Sequence, residues 1–222
     1  MKRVLITGAS DGIGRSIALR LAKDGHEVTL FGRDKSRLDK VAAECGGAEV
    51  YAFDMNDHDA REKTLKRIGQ VDVLINNAGI WHKAGGLETL SDEKVIEVIN
   101  TNLVSQILLT KALLPGMKNK KGSAIINVIS KSGVVAQGGQ SVYTASKYGM
   151  RGFTDVLRED TKDDQIRIGA VYQSGTNTEM FKKAGEKFST DSLTEPDDLA
   201  DVVAYMLSRP EKLWINEVRV VK

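Results

Sequence analysis

What most constrains the fold of this 222-residue chain is a rhythm: short apolar runs alternate with longer amphipathic stretches from end to end. The runs at 4–7, 28–31, 50–53, 71–75, 124–129, 166–172 and 214–221 read as buried strands. Residues 13–23, 35–44, 57–68, 92–117, 142–161 and 196–208 read as helices. The fourth carries Val95, Ile96, Ile99, Leu103, Ile107 and Leu108 at helical spacing, and Pro196, Asp197 and Asp198 open the last. Strands apolar on both faces need cover on both, and β-α-β crossovers are right-handed. The rhythm therefore predicts an α/β fold: a doubly wound parallel sheet of about seven strands between two helical layers. With three prolines, no repeat and no linker, residues 1–222 read as one domain.

Composition narrows the partners. The 32 Lys and Arg against 30 Asp and Glu leave a formal charge of +2, too little to gather nucleic acid or an anionic membrane by long-range attraction. The single cysteine, Cys45, can form no intrachain disulfide and fits a reducing compartment. The first apolar run is too short for a signal peptide, and no apolar stretch is long enough to span a bilayer. A soluble, cytoplasmic protein is expected, without nucleic-acid, membrane or metal partners.

The first strand leads into Thr7-Gly8-Ala9-Ser10-Asp11-Gly12-Ile13-Gly14 and then a helix. Gly8 permits a tight turn, Gly12 lets backbone approach a pyrophosphate, and Gly14 lets helix and strand pack closely. The helix N-terminus offers free N–H groups to phosphate. This is a Rossmann-like dinucleotide loop, although its glycine spacing departs from GxGxxG. About 20 residues on, the end of the second strand chooses the cofactor. Here Gly32 presents no acid and Arg33 can pair with a 2′-phosphate, so NADP(H) is favoured over NAD(H). Arg33 as plain solvated surface remains the competing reading, and Asp11 and Asp34 could offset the positive charge.

Tyr143 and Lys147, four residues apart, project from one helix face. A free phenol titrates near about 10, and an adjacent ammonium favours the phenolate, moving it toward a useful range for acid–base work. The spacing alone is common on helices. Its context is not: Ser130 ends a buried strand thirteen residues earlier, so Ser130, Tyr143 and the glycine loop share the carboxyl edge of the sheet, where ligands bind.

Together these residues make the chain resemble the short-chain dehydrogenase/reductase family, of the single-domain kind, nearly end to end. The resemblance adds Asp54, Asn76-Asn77-Ala78-Gly79, Asn102 and Thr178 in the family's order. It implies that Tyr143 is the general acid for reduction and base for oxidation, and that Lys147 lowers its pKa and bonds the nicotinamide ribose. It implies that Ser130 holds the substrate oxygen and that Asn102 holds a water in a relay to Lys147. Asp54 would accept from adenine, or serve as a helix N-terminal acid. Asn77, with Ala78 and Gly79, would be partly structural and partly at the adenosine ribose. Ile13 and Thr178 would flank the nicotinamide, with Thr176 and Ser10 also at the cofactor. The helices carrying Asn102 and Tyr143 would pair across a two-fold axis, giving a homodimer or homotetramer.

Gln173-Ser174 stands where the family usually has Pro-Gly beside the nicotinamide, and with so short a tail no C-terminal lid is expected. Trp81, His82, Val135, Gln137, Gln140, Tyr172, Gln173, Met180 and Phe181 are the expected substrate walls, His82 as a loop histidine rather than a catalyst. Amides mixed with aromatics suit a modest polar carbonyl compound better than a steroid. The leading function is NADPH-dependent reduction of a small ketone, aldehyde or 3-oxoacyl group. The alternatives are a dehydrogenase of a hydroxy acid or sugar alcohol, and a non-catalytic NADP(H) sensor or scaffold. Ser130, Tyr143, Lys147 and Asn102 together count against a sensor.

Overall fold

Seven strands form one parallel sheet in the computed structural model, which describes residues 1–210 and 212–221. They are β1 (Arg3–Thr7), β2 (Glu27–Gly32), β3 (Glu49–Ala52), β4 (Val73–Asn76), β5 (Ala124–Val128), β6 (Arg167–Gln173) and β7 (Glu217–Val220), ordered β3-β2-β1-β4-β5-β6-β7. Every neighbouring pair is parallel. The helices are α1 (Gly12–Lys23), α2 (Lys35–Glu44), α3 (His58–Leu65), α4 (Asp92–Ile99), α5 (Ser105–Met117), α6 (Ser141–Asp160), α7 (Met180–Lys183) and α8 (Pro196–Ser208).

Strand alternation divides the core between the two sheet faces. Val4 and Ile6 of β1 pack with Ile17, Leu21, Leu38 and Val203 from α1, α2 and α8. Leu5 faces the other way, with Leu109, Met117 and Leu157 from α5 and α6. This is the expected Rossmann-like three-layer arrangement. The chain moves outward through β2 and β3, then crosses back to lay β4 on the far side of β1. That reversal opens a crevice at the carboxyl ends of β1 and β4, where doubly wound sheets bind ligands.

The structure departs from the sequence expectation in four places. The helix expected over 92–117 is broken by a π turn, Asn100–Val104, between α4 and α5. The turn widens the helix by one residue and buries Asn102, an insertion that apolar periodicity cannot register. α3 stops at Leu65. β7 starts at Glu217 because Trp214 leaves the strand path, donating its indole N–H to the Ile168 carbonyl at 2.9 Å under the Arg167 guanidinium. α7 forms between Thr178 and α8, where the apolar pattern predicts no helix.

Beneath the crevice, Asn76 Nδ2 donates to Asn127 Oδ1 at 2.8 Å and to Thr110 Oγ1 at 2.9 Å. Asn127 Nδ2 donates in turn to Thr154 Oγ1 at 2.8 Å. These buried bonds tie β4 and β5 to α5 and α6, fixing the helices that carry the site. Among the described residues, no helix is long and apolar enough to cross a membrane.

Candidate active site

The glycine loop is shaped by close approach. A Cβ at Gly14 would collide with the Gly8 carbonyl oxygen and the Asn77 amide, so only glycine lets α1 sit against the end of β1. Gly12 has φ +51°, and a Cβ there would lie 2.9 Å from the Thr178 methyl. Thr7 Oγ1 accepts from the backbone N–H groups of Asn77 and Ala78 at 2.9 Å each, while Asn77 Nδ2 donates to the Thr7 carbonyl at 2.9 Å. Asn77 is thus committed to joining β1 and β4. At the N-terminus of α1, Asp11 gives no side-chain cap. Its carboxylate instead accepts from Arg37 Nη1 at 3.0 Å and Lys183 Nζ at 2.5 Å. The first N–H groups of α1 are left for an anion.

Gly32, Arg33, Asp34 and Arg37 line one end of a cleft of about 900 Å³. Asp34 caps α2 by accepting from Arg37 N at 3.0 Å and also meets the Arg37 guanidinium at 3.4 Å. Both acids that could offset a positive pocket are therefore already paired. Arg33 is exposed, with no ion-pair partner among the described residues. Arg37, missed in the sequence, stands beside it. The Asp34/Arg37 spacing at a helix start was the available signal. Ser10, Ile13, Asp54, Ala78 and Gly79 line the cleft with Gly8, Gly12, Thr176 and Thr178, whereas Gly14 lies beneath it.

At the other end, Ser130 has φ 139° and ψ 154°, the one positive φ outside glycine among the described residues. The strain is held by Ser132 N–H donating to Ser130 Oγ at 3.1 Å and Gly133 N–H donating to the Ser130 carbonyl at 2.9 Å. Ser130 reaches Tyr143, which with Lys147 occupies the buried face of the first turns of α6. Lys147 Nζ lies 5.5 Å from the centre of the Tyr143 ring. Burial pushes the Tyr143 phenol up to about 12, with the Ser130 hydrogen bond pulling it back, and burial brings the Lys147 ammonium down to about 8. Loss of water acts on both groups, against the phenolate and against the ammonium, and for the phenol it outweighs the Ser130 hydrogen bond.

Asn102 Oδ1 accepts from Ile80 N at 2.7 Å, and its Nδ2 donates to the Ile80 carbonyl and to Ser146 Oγ at 3.0 and 3.1 Å. A Cβ at Gly79 would lie 3.4 Å from Asn102 Oδ1 and 3.6 Å from Lys147 Nζ, so both flank that glycine.

Aromatic side chains wall the space over Tyr143. Trp81 meets Tyr143 edge-on at 4.5 Å and Phe181 at 5.4 Å; Phe188, which the sequence reading missed, meets Phe181 at 5.2 Å. Gln137, Gln140, Gln173 and Met180 also line the cleft. Tyr172 does not. It is buried with Ile129, Met150 and Ala170, because alternation along β6 turns it to the opposite face from Gln173. Val135 is exposed and His82 buried, both off the cleft wall. Glu186, also unforeseen, accepts from the Trp81 indole at 3.2 Å and Ala84 N at 2.8 Å, pinning the α7 segment over the cleft. The Ala84 amide leads the interactions that hold its carboxyl below the usual range, against burial.

Comparison with known proteins agrees with this architecture. The family model described as short chain dehydrogenase matches residues 2–188. The chain is 32% identical over 223 residues to the 3-oxoacyl-[acyl-carrier-protein] reductase FabG of Thermotoga maritima, covering 93% of this chain and 90% of that one. It is 31% identical to the NADP-dependent 3-hydroxy acid dehydrogenase of Schizosaccharomyces pombe, covering 99% of this chain and 92% of that one. A serine dehydrogenase solved in its closed form with NADP+ superposes with a TM-score of 0.91 at 29% identity, covering 98% of this chain and 94% of that one. The chain belongs to the short-chain dehydrogenase family, as an oxidoreductase acting on CH–OH and C=O groups.

Proposed function

We propose that this protein is an NADPH-dependent carbonyl reductase, organised as one domain over residues 1–222. The observation that carries the reading is a single cleft holding Ser130, Tyr143 and Lys147 at one end and the uncapped N-terminus of α1 at the other. The names of relatives support it: a 3-oxoacyl reductase, an NADP-dependent 3-hydroxy acid dehydrogenase and a serine dehydrogenase with NADP+. They favour a small polar 3-oxo compound, and they also support the reverse reaction, oxidation of a hydroxy acid.

The cleft fits a dinucleotide. Gly8, Ser10, Gly12 and Ile13 would cradle it, the α1 amides would meet its pyrophosphate, and Asp54 and Asn77-Ala78-Gly79 would meet the adenosine. Arg33, joined by Arg37, would take a 2′-phosphate in charge-assisted bonds. Thr176 and Thr178 would border the nicotinamide, which supplies hydride to the carbonyl carbon when bound in reduced form.

Ser130 would hold the carbonyl oxygen and stabilise the charge that develops there. Tyr143 would donate its proton to that oxygen. With its pKa raised to about 12 the phenol is protonated at neutral pH, and an alkoxide is more basic still, so the transfer runs downhill. Lys147, an ammonium below about pH 8, would stabilise the phenolate left behind. The Asn102 side chain is spent on Ile80 and Ser146, so a relay water there would need its main chain or the remaining Oδ1 lone pair.

Exposed Ile96, Val104, Tyr148 and Val156 on α4, the π turn and α6 give these helices an apolar face for homo-oligomer pairing. The test of function is NADPH consumption over a panel of carbonyl compounds, with NADH in parallel. Tyr143→Phe is expected to lose about 10²- to 10⁴-fold in turnover. A variant that keeps wild-type turnover refutes the proton-donor role.

A further inference from the structure

The first turn of α6 carries Tyr143, and its backbone N–H groups need acceptors that the helix itself cannot supply. Its N-cap residue, Gln140, gives no side-chain cap. The Gln140 oxygen is taken by the Ser132 hydroxyl at 3.2 Å. The N–H of Tyr143 finds its acceptor outside the helix, in Nε2 of His82 at 3.3 Å.

His82 is only 2% exposed, and both ring nitrogens are in use. Nδ1 lies 3.0 Å from the Lys83 carbonyl, which can only accept, so Nδ1 carries the hydrogen. Nε2 is then left with its lone pair toward Tyr143. The two partners select one neutral tautomer. The same ring stacks on Trp81, with 5.9 Å between centroids and 11° between planes, while Trp81 packs edge-on against the phenol of Tyr143. Residue 143 is thus held twice from the loop after β4, at its amide by His82 and at its ring by Trp81. His82 reaches neither the cleft nor the reacting oxygen.

We propose that His82 is a positioning residue for the proton donor: it caps α6 at the Tyr143 amide and so fixes where the phenol points. The inference rests on the reading of Tyr143 as the acid. It requires an acceptor at position 82. A side-chain carbonyl meets the requirement, and a side chain that only donates does not.

His82→Leu keeps apolar bulk and removes the acceptor, whereas His82→Gln offers a carbonyl in its place. Because small misplacement of a reacting group is costly, His82→Leu is expected to lower kcat about 10- to 100-fold while the Kd for NADPH stays within about twofold. In ¹⁵N-labelled protein the Tyr143 amide should exchange faster in His82→Leu, with the central turns of α6 still protected. His82→Gln should recover most of both. Wild-type kcat in His82→Leu, equal losses in the two variants, or NADPH affinity falling in step with kcat would each overturn the proposal. If the wild-type protein turns over no carbonyl, the functional reading fails. Amide exchange then decides the cap alone, and an unchanged Tyr143 rate in His82→Leu refutes it.

Discussion

With Tyr143 as the proposed proton donor, its burial predicts a pH dependence that differs between the two directions of reaction. Reduction starts from the phenol, and with the group pushed up to about 12 that form prevails across the working range. Oxidation starts from the phenolate. At pH 7 that species lies about five pH units below half-population, and each unit is worth about 1.4 kcal/mol. Raising the pH from 7 to 9 enriches the phenolate about 100-fold, or about 2.7 kcal/mol. Since kcat/KM reports ionisations of the free enzyme, kcat/KM for alcohol oxidation should climb about tenfold per unit from pH 7. The climb should bend downward above about 8, where Lys147 loses the proton that makes it a partner for the phenolate. Reduction should show no such rise. The assay is the initial rate of NADPH formation or loss at constant ionic strength, run in both directions with the best substrate pair of the panel. Flat oxidation between pH 6 and 9 would mean that the phenol has already ionised, and that Lys147 rather than desolvation governs it. The reasoning would then be wrong.

Two further outcomes follow from the same geometry. Burial lowers Lys147 from 10.5 to about 8, so in the folded protein its charge costs about 3 kcal/mol, fully below about pH 8 and fading as the pH rises toward 10.5. Lys147→Met should therefore raise the melting temperature by several degrees at pH 7, and by less at pH 10, while losing about 100-fold or more in turnover. A lower melting temperature at pH 7 contradicts this account. Arg33→Asp should weaken NADPH about 10- to 100-fold in fluorescence titration and leave NADH nearly unchanged, because only the 2′-phosphate meets the guanidinium. Equal losses for both cofactors would remove Arg33 from the selection.

Much of the fold was legible because it is local or periodic. Fully apolar runs such as Val4-Leu5-Ile6 and Ile125-Ile126 announce strands covered on both faces, and the spacing of the intervening stretches announces crossovers. The glycine turn, Ser130 and the Tyr143/Lys147 pair could be placed at one sheet edge for the same reason: each sits at a strand end or one helical turn from its partner. Tyr172 could not be oriented. A strand buried on both faces has no polar alternation to show which way a side chain turns, and only its register beside β5 and β7 decided.

The sequence by itself determined the order of elements, the glycine loop and the candidate reacting side chains, since these depend on local pattern and spacing. Tertiary structure decided the rest. Within the π turn Asn102 meets Ile80, 22 residues earlier; His82 reaches Tyr143 across 61 residues; and Lys183 closes on Asp11 across 172. It also decided the direction in which burial pushes the central pair, the phenol up and the ammonium down. Desolvation depends on every atom packed around a group, and no spacing along the chain encodes how completely folding removes water from Tyr143 and Lys147.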